Sequence, residues 1–172
     1  LPVVGQPREQ SGGRGGNSIG GNGYREAADY VVKRLNLRRR SVVADIGAGD
    51  GWWSSKIAEK LGPKGIIYAG EIDQKKVDKM KEKWEAVPQI KPYLCPKDGT
   101  GREENSCDLV FISKTYHHFN KNTHVDYLRH LKKVIKPSGR VVIIERHADL
   151  ASGRGKEHAW QPGLLGRQAE QA

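Results

Sequence analysis

Three glycines at alternate positions, Gly47, Gly49 and Gly51, stand between a short apolar run, Val42 to Ile46, and a segment in which Trp53, Ile57 and Leu61 recur at every fourth residue. Glycine takes positive φ without penalty and leaves the backbone bare, so a bound group can lie against it. A bound group is therefore what all three glycines are expected to serve. Glu71 comes 20 residues after Gly51, at the end of a second apolar run, Ile66 to Ala69. A strand, a glycine turn, a helix and a second strand tipped by an acid form the unit in which a carboxylate meets ribose hydroxyls. The chemistry this predicts is the binding of an adenosine-containing ligand.

Spacing and charge narrow the ligand. Dinucleotide sites use G-x-G-x-x-G and set a pyrophosphate against the helix N-terminus. Here the pattern is G-x-G-x-G, with Asp45 before the loop and Asp50 inside it. That negative charge opposes a pyrophosphate and suits an amino group and a sulfonium.

From Val43 to Asp73 the chain resembles the class I S-adenosylmethionine-dependent methyltransferases, whose first motif is similar to the VADIGAGDGWWS found here. The resemblance implies S-adenosylmethionine as cofactor. It places Asp45, Gly47, Ala48, Gly49 and Gly51 along the methionine portion, Glu71 with Ile72 at the ribose, Asp98 with Gly99 at the adenine, and Ser113 at the edge of the same pocket. An ordinary Asp-Gly turn is the other reading of Asp98-Gly99, because the stretch to Asp108 is shorter than the family usually has.

Methyl transfer also needs an acceptor site. Asp108 to Ile112 reads as a fourth strand, similar to the family's common FDLV pattern with Cys107 in place of Phe, and Ser113 to Phe119 follows at its carboxyl end. Open α/β sheets bind ligands on that edge. Tyr116, His117, His118 and, after the fifth strand, His147 are the candidates for contacting the acceptor or acting as its general base. For His117 and His118 a role in pocket structure stands equally open. Metal ligation is set aside, because neighbouring residues on one strand or turn point apart and no further acid or His stands at ligand spacing.

The remaining pattern supplies the elements that must position these groups. Helices are expected over Tyr24–Leu37, from Trp52 to Gly62, over Gln74–Ala86 and over Asn120–Lys136, and strands over Ile90–Cys95 and Arg140–Glu145. The segment LRHLKKVIKPSGRVVIIE resembles the family's L-K-P-G-G passage, with Gly139 expected at a flexible corner. The fold predicted is α/β: a Rossmann-like, doubly wound, mostly parallel sheet of about five strands with helices on both faces. Residues 1–23 read as a flexible Gly-rich arm and 24–172 as the methyltransferase domain; Gly153 to Pro162 reads as loop and Gly163 to Ala172 as a weak helix. The resemblance implies a further antiparallel strand pair that the sequence does not contain, so the sheet is expected to be shortened at its C-terminal edge.

Composition bounds the rest. At 172 residues and 36% hydrophobic content the chain suits one domain with a real core, and no apolar run approaches the roughly 18 residues that span a bilayer. The N-terminal LPVVGQPREQ is not a signal peptide, and two cysteines make no disulfide framework, so a reducing, cytoplasmic setting is expected. A net charge of +10 admits nucleic acid as a partner, but a solvated basic surface is the plainer account. The function read from the sequence is methyl transfer to a small molecule. Methylation of RNA or protein, and a non-catalytic cofactor-binding or partner subunit, are the alternatives. The oligomeric state is not encoded in any pattern here.

Overall fold

The computed structural model describes residues 21–119, 121–147 and 159–160. Most of the expected N-terminal arm and the helix expected over 163–172 lie outside the described residues. In chain order the elements are α1 (Gly21–Arg34), β1 (Val42–Ile46), α2 (Trp52–Ala58), β2 (Ile66–Glu71), α3 (Gln74–Lys83), β3 (Ile90–Leu94), β4 (Cys107–Ser113), two 3₁₀ turns (Tyr116–His118 and Lys121–Thr123), α4 (His124–Val134), β5 (Ile135–Ile144), β6 (Arg146–His147) and β7 (Ala159–Trp160).

Five strands form one sheet in the order β3-β2-β1-β4-β5, and every neighbouring pair is parallel. The chain winds outward from β1 through β2 to β3, then returns to the other side of β1 with β4. The strand order therefore reverses at β1/β4, which opens a crevice at the carboxyl edge where such sheets take ligands. Alternation along the strands divides the core into two layers. Val43, Leu109 and Phe111 face Ile57 of α2 and Met80 of α3. Ala44, Ile46, Val110 and Ile112 face Leu128 and Leu131 of α4. Burial on both faces is why these strands read as continuous apolar runs.

Several boundaries differ from the sequence reading, each for a local reason. Helix α1 starts earlier and ends at Arg34, where Asn36 turns the chain with φ 46°. Helix α2 ends at Ala58 because Lys60 and Leu61 donate to carbonyls three residues back and Gly62 donates to Arg39 O. Helix α4 is shorter at both ends. The turn at Lys121–Thr123 precedes it, and Asn105 and Ser106 donate to the carbonyls of Lys133 and Val134, capping its last turn. Strand β5 then starts at Ile135, opposite Cys107, and includes Pro137 to Gly139. Gly139 sits where the pairing slips from Cys107–Ile135 to Leu109–Arg140, folded back so that a Cβ would stand 2.9 Å from Cys107 O and 3.0 Å from Ile135 Cβ, and the expected corner is thus an irregularity inside the strand. The segment read as loop over 153–162 contains β7, which pairs in parallel with β6.

Asp108 illustrates a role that the pattern alone did not assign. Its carboxylate accepts from the Val42 amide at 2.7 Å and from Lys136 Nζ at 2.9 Å, joining β1, β4 and β5 at the amino edge of the sheet. Asp108→Ala is expected to lower the unfolding free energy by about 1–2 kcal/mol, a charge-assisted bond to a backbone amide discounted for partial exposure. Denaturant titration checks this, and cofactor affinity should be unchanged because the group sits at the opposite edge.

Candidate cofactor and acceptor site

Loop 47–51 carries the glycines into the crevice with positive φ at all three, 74°, 61° and 78° for Gly47, Gly49 and Gly51. The amides of Gly47 and Ala48 both donate to Gly70 O at 2.9 Å, which bends the loop over the tip of β2. The three glycines do different work. A Cβ on Gly47 would lie 2.3 Å from the Thr115 side chain, and one on Gly51 would lie 2.5 Å from Trp84 Nε1. Those two positions are bare because the protein's own side chains occupy the space, a correction to the expectation that a ligand requires every one. At Gly49 nothing lies within 4 Å of an added Cβ, so this is where the loop is open.

This difference predicts separable effects. Gly51→Ala is expected to cost about 2 kcal/mol of stability from positive-φ strain and the clash with Trp84. Gly49→Ala costs about 1 kcal/mol, the strain alone, but should weaken cofactor binding at least ~10-fold by filling the open cradle. Thermal unfolding and a S-adenosylhomocysteine titration on both variants would separate the two roles; equal loss of affinity in both would refute the assignment.

Glu71 stands beside that opening. Its carboxylate is 6% exposed and accepts from the Gly49 amide at 3.1 Å and the Ile72 amide at 2.9 Å, with Lys76 Nζ at 4.0 Å. The backbone therefore fixes the acid in place while leaving lone pairs for further donors. Ile72 is 58% exposed and Leu94, paired in register with Glu71 on β3, is 53% exposed. Two bare aliphatic side chains flanking a buried acid suit the faces of a heterocycle. Leu94 was not singled out by the sequence because its place beside Glu71 depends on register with β2.

Ser113, at the end of β4, has a buried hydroxyl oxygen with no hydrogen-bond partner. Thr115 Oγ1 donates to Ser113 O at 3.0 Å and reaches Gly47 O at 3.4 Å, so the chain after β4 is laced to the glycine loop. An orphaned buried hydroxyl is the signature of a missing partner. With the open cradle at Gly49 and the anchored Glu71, it means the residues present fit the polar amino-acid and ribose portions of S-adenosylmethionine.

The two loop aspartates are placed differently from one another. Asp45 is 2% exposed under α2, its Oδ2 accepting from Ser54 Oγ at 2.6 Å, and burial pushes its carboxyl up to about 6. Asp50 is exposed, accepts from Lys83 Nζ at 2.6 Å and caps the Trp52 amide. The Lys83 hydrogen bond holds its carboxyl below the usual range, so Asp50 forms an exposed ion pair with α3.

Asp98 is exposed in the turn after β3, while Gly99 is buried with its carbonyl near Cys95 Sγ and Tyr127 OH and its α-carbon against His130. This turn packs on α4 through Tyr127 and His130, and Cys95 before it donates its amide to Glu71 O at 2.9 Å. A cavity of roughly 820 Å³ among α1, α2 and the segment after α3 is lined by Trp52, Trp84 and Val87.

Of the acceptor-side candidates, Tyr116 is 0% exposed, its ring stacked on His124 at 4.6 Å and edge-on to Phe119. Burial pushes its phenol well up, so it packs the core and offers no base. His117 Nδ1 lies 2.9 Å from Glu145 Oε2, both side chains largely buried. His118 is exposed, its ring centroid 4.0 Å from that of His117. The two rings lie together, not apart as adjacent residues on a strand would, because the 3₁₀ turn at Tyr116–His118 curls the backbone. His147 falls in β6, where only the backbone is described. Sequence reasoning missed the His117–Glu145 pair because 28 residues separate its members.

Comparison with known proteins bears on the family and the fold. A family model described as a methyltransferase domain matches residues 43–139. The demethylmenaquinone methyltransferase of Staphylococcus aureus is 28% identical over 118 residues, covering 67% of this chain and 47% of that protein, so the chain spans about half the length of the curated relatives it matches. Among solved structures, a SAM-dependent methyltransferase from Aquifex aeolicus superposes with a TM-score of 0.74 at 22% identity, over 83% of this chain and 77% of that one. The [4+2]-cyclase SpnF superposes with a TM-score of 0.70 at 14% identity, over 84% of this chain and 56% of that one, so the shared fold does not dictate the reaction. The matched segment carries the glycine loop, Glu71, Ser113 and α4, and the chain belongs to the methyltransferase-domain family, as its resemblance to the class I S-adenosylmethionine-dependent enzymes implied.

Proposed function

We propose that this domain binds S-adenosylmethionine and transfers its methyl group to a small-molecule acceptor. The observation that carries the proposal is the opening at Gly49 beside the backbone-anchored Glu71, with the unpartnered Ser113 hydroxyl at the same sheet edge. Glu71 would hold the ribose hydroxyls, Ile72 and Leu94 would flank the adenine, and the backbone of 47–49 with Ser113 would take the methionine portion. Bound there, the cofactor supplies an electrophilic methyl carbon on a good leaving group. The chain's part is to hold the acceptor in line with it, and such positioning is worth roughly 7–11 kcal/mol.

A small acceptor is favoured over RNA because the basic face of α3 is already partly neutralised. Lys83 pairs with Asp50, Lys81 with Asp78, and Lys76 stands by Glu71. No helix among the described residues is long and apolar enough to cross a membrane. Two free, buried cysteines, Cys95 and Cys107, support a reducing compartment such as the cytoplasm.

Calorimetric titration with S-adenosylmethionine and S-adenosylhomocysteine tests the reading. Micromolar affinity for both is expected, and its absence would sink the cofactor assignment. Affinity for RNA that falls steeply with salt would instead favour a nucleic-acid acceptor. Cofactor binding with no methyl transfer to any acceptor would favour a non-catalytic subunit.

A further inference from the structure

We infer that the amino edge of the sheet, around the turn Arg38-Arg39-Arg40, is a docking surface for single-stranded nucleic acid. The surface stands apart from the proposed cofactor site and does not depend on it. Residues 38–41 lead into β1 and residues 59–65 lead into β2, so both turns lie at the amino ends of neighbouring parallel strands. They are joined: Gly62 N donates to Arg39 O at 2.7 Å and Ile66 N to Ser41 O at 3.1 Å. The Arg39 side chain runs across Gly62, where a Cβ would stand 3.3 Å from Arg39 Nε. Ser41 closes the arginine turn on itself, its hydroxyl accepting from the Arg38 amide and its own amide donating to Arg38 O, each at 3.0 Å. All three arginines are exposed, and so are Lys60 and Lys64 of the joined turn. Lys33 and Arg34, exposed as well, end α1 just before the arginines.

Ion pairing elsewhere in the molecule sets this cluster apart. Cations of α2, α3, α4 and β5 meet carboxylates: Lys56 with Glu59, Lys81 with Asp78, Lys83 with Asp50, Arg129 with Asp126 and Lys136 with Asp108. Among the described residues no cation of the two joined turns or of the end of α1 has such a partner, and Glu59, the acid within the second turn, is engaged by Lys56. The result is a block of uncompensated charge in a chain whose net charge is +10. Like charges held together by the fold repel, and a polyanion relieves that repulsion while releasing its own counterions.

The make-up of the surface selects the polyanion. Arginine outnumbers lysine in it, and the planar guanidinium grips phosphate oxygens two at a time. Tyr30, 42% exposed, lies one turn back on α1 with the Arg34 guanidinium 4.6 Å from its ring centroid, a stacking surface for an unpaired base. The other large exposed apolar side chains among the described residues, Ile72 and Leu94, stand at the carboxyl edge, so this edge offers a lipid bilayer no aliphatic anchor. Strand β1 has five residues at about 3.3 Å each, which puts about 16 Å of sheet between this surface and the glycine loop. Nucleic acid held here is therefore a docking partner and not the methyl acceptor, and the crevice is left to a small molecule.

Fluorescence anisotropy of the full chain with labelled oligouridine tests the surface. With about five phosphates engaged, log affinity should fall against log salt with a slope of about −3.5, a loss of about 100-fold between 50 and 200 mM salt. Arg38→Gln/Arg39→Gln/Arg40→Gln should flatten the slope by about 2 and weaken binding at least ~10-fold at low salt, with S-adenosylhomocysteine affinity unchanged. Lys60→Gln/Lys64→Gln should flatten it by about 1.4, and carries the test if the arginine turn does not fold once substituted. Lys75→Gln/Lys79→Gln/Lys97→Gln removes the same charge elsewhere and should leave the slope as it is. No binding at low salt, an equal loss in that last variant, or stronger capture by phosphatidylserine vesicles or polyglutamate than by oligouridine would overturn the inference. Oligouridine displaced by S-adenosylhomocysteine would lie in the crevice as an acceptor and would overturn it too. Failure to bind S-adenosylhomocysteine bears on the cofactor reading alone, because oligouridine affinity is read without it.

Discussion

Glu71→Ala is expected to weaken S-adenosylhomocysteine binding about 100-fold, while Glu71→Gln weakens it less. The carboxylate would accept from two ribose hydroxyls, and charge-assisted bonds of this kind are worth about 1.5–3 kcal/mol each. Part of that is offset, because Glu71 already accepts from the Gly49, Ile72 and Asp73 amides and shares its lone pairs with them. A net loss of about 2.7 kcal/mol corresponds to the stated factor. Alanine also leaves the Gly49 amide without its acceptor, so the loop should loosen and thermal unfolding should fall by a few degrees, on the order of 1 kcal/mol for a chain of this size. Glutamine keeps an oxygen for that amide and loses only the charge. Calorimetry with melting curves on both variants checks the pair. Retention of full affinity in Glu71→Ala would mean that the acid serves the loop and not a ligand.

That prediction was within reach of the sequence because its parts are local. The apolar run of β1, the alternate glycines and the interval to Glu71 all lie within one βαβ unit, where strand and helix periods fix the geometry. The same locality made the five parallel strands legible from their continuous apolar runs. What escaped depends on residues brought together from a distance. Trp84 against Gly51 and Thr115 against Gly47 account for two glycines that local reasoning gave to a ligand. The capping of α4 by Asn105 and Ser106, which frees Ile135 to begin β5, joins segments far apart in sequence. The pairing of His117 with Glu145 follows from β4 and β5 being neighbours, a fact of sheet order that no window of sequence contains. Asp50 is a further case: its pairing with Lys83 at the end of α3, 33 residues on, is not contained in the loop.

Asp45→Asn is expected to stabilise the fold at neutral pH and weaken cofactor binding. Burial raises the Asp45 carboxyl from an ordinary value near 3.8 to about 6, even though Ser54 donates to it. For an acid raised on folding, the native chain holds the proton over a range in which the unfolded chain has lost it. Stability is therefore fully present below about pH 4, falls as pH rises toward 6, and stays reduced above it. The cost at pH 7.5 is about 3 kcal/mol, the free energy of a shift of this size on a fully buried group. Asparagine is nearly isosteric, can accept from Ser54 through its amide oxygen and never ionises. Urea titrations should show the variant about 2–3 kcal/mol more stable at pH 7.5 and no different at pH 3.5–4. A difference that is flat across pH would place the effect in packing instead of charge. An ionised carboxylate held at this cost directly before the glycine loop is well suited to a ligand that carries an ammonium and a sulfonium. The stabilised variant should accordingly bind S-adenosylmethionine at least ~10-fold more weakly, a loss of about 1.4 kcal/mol or more. If it gained stability and kept its affinity, Asp45 would be a cost of the fold with no return at the site.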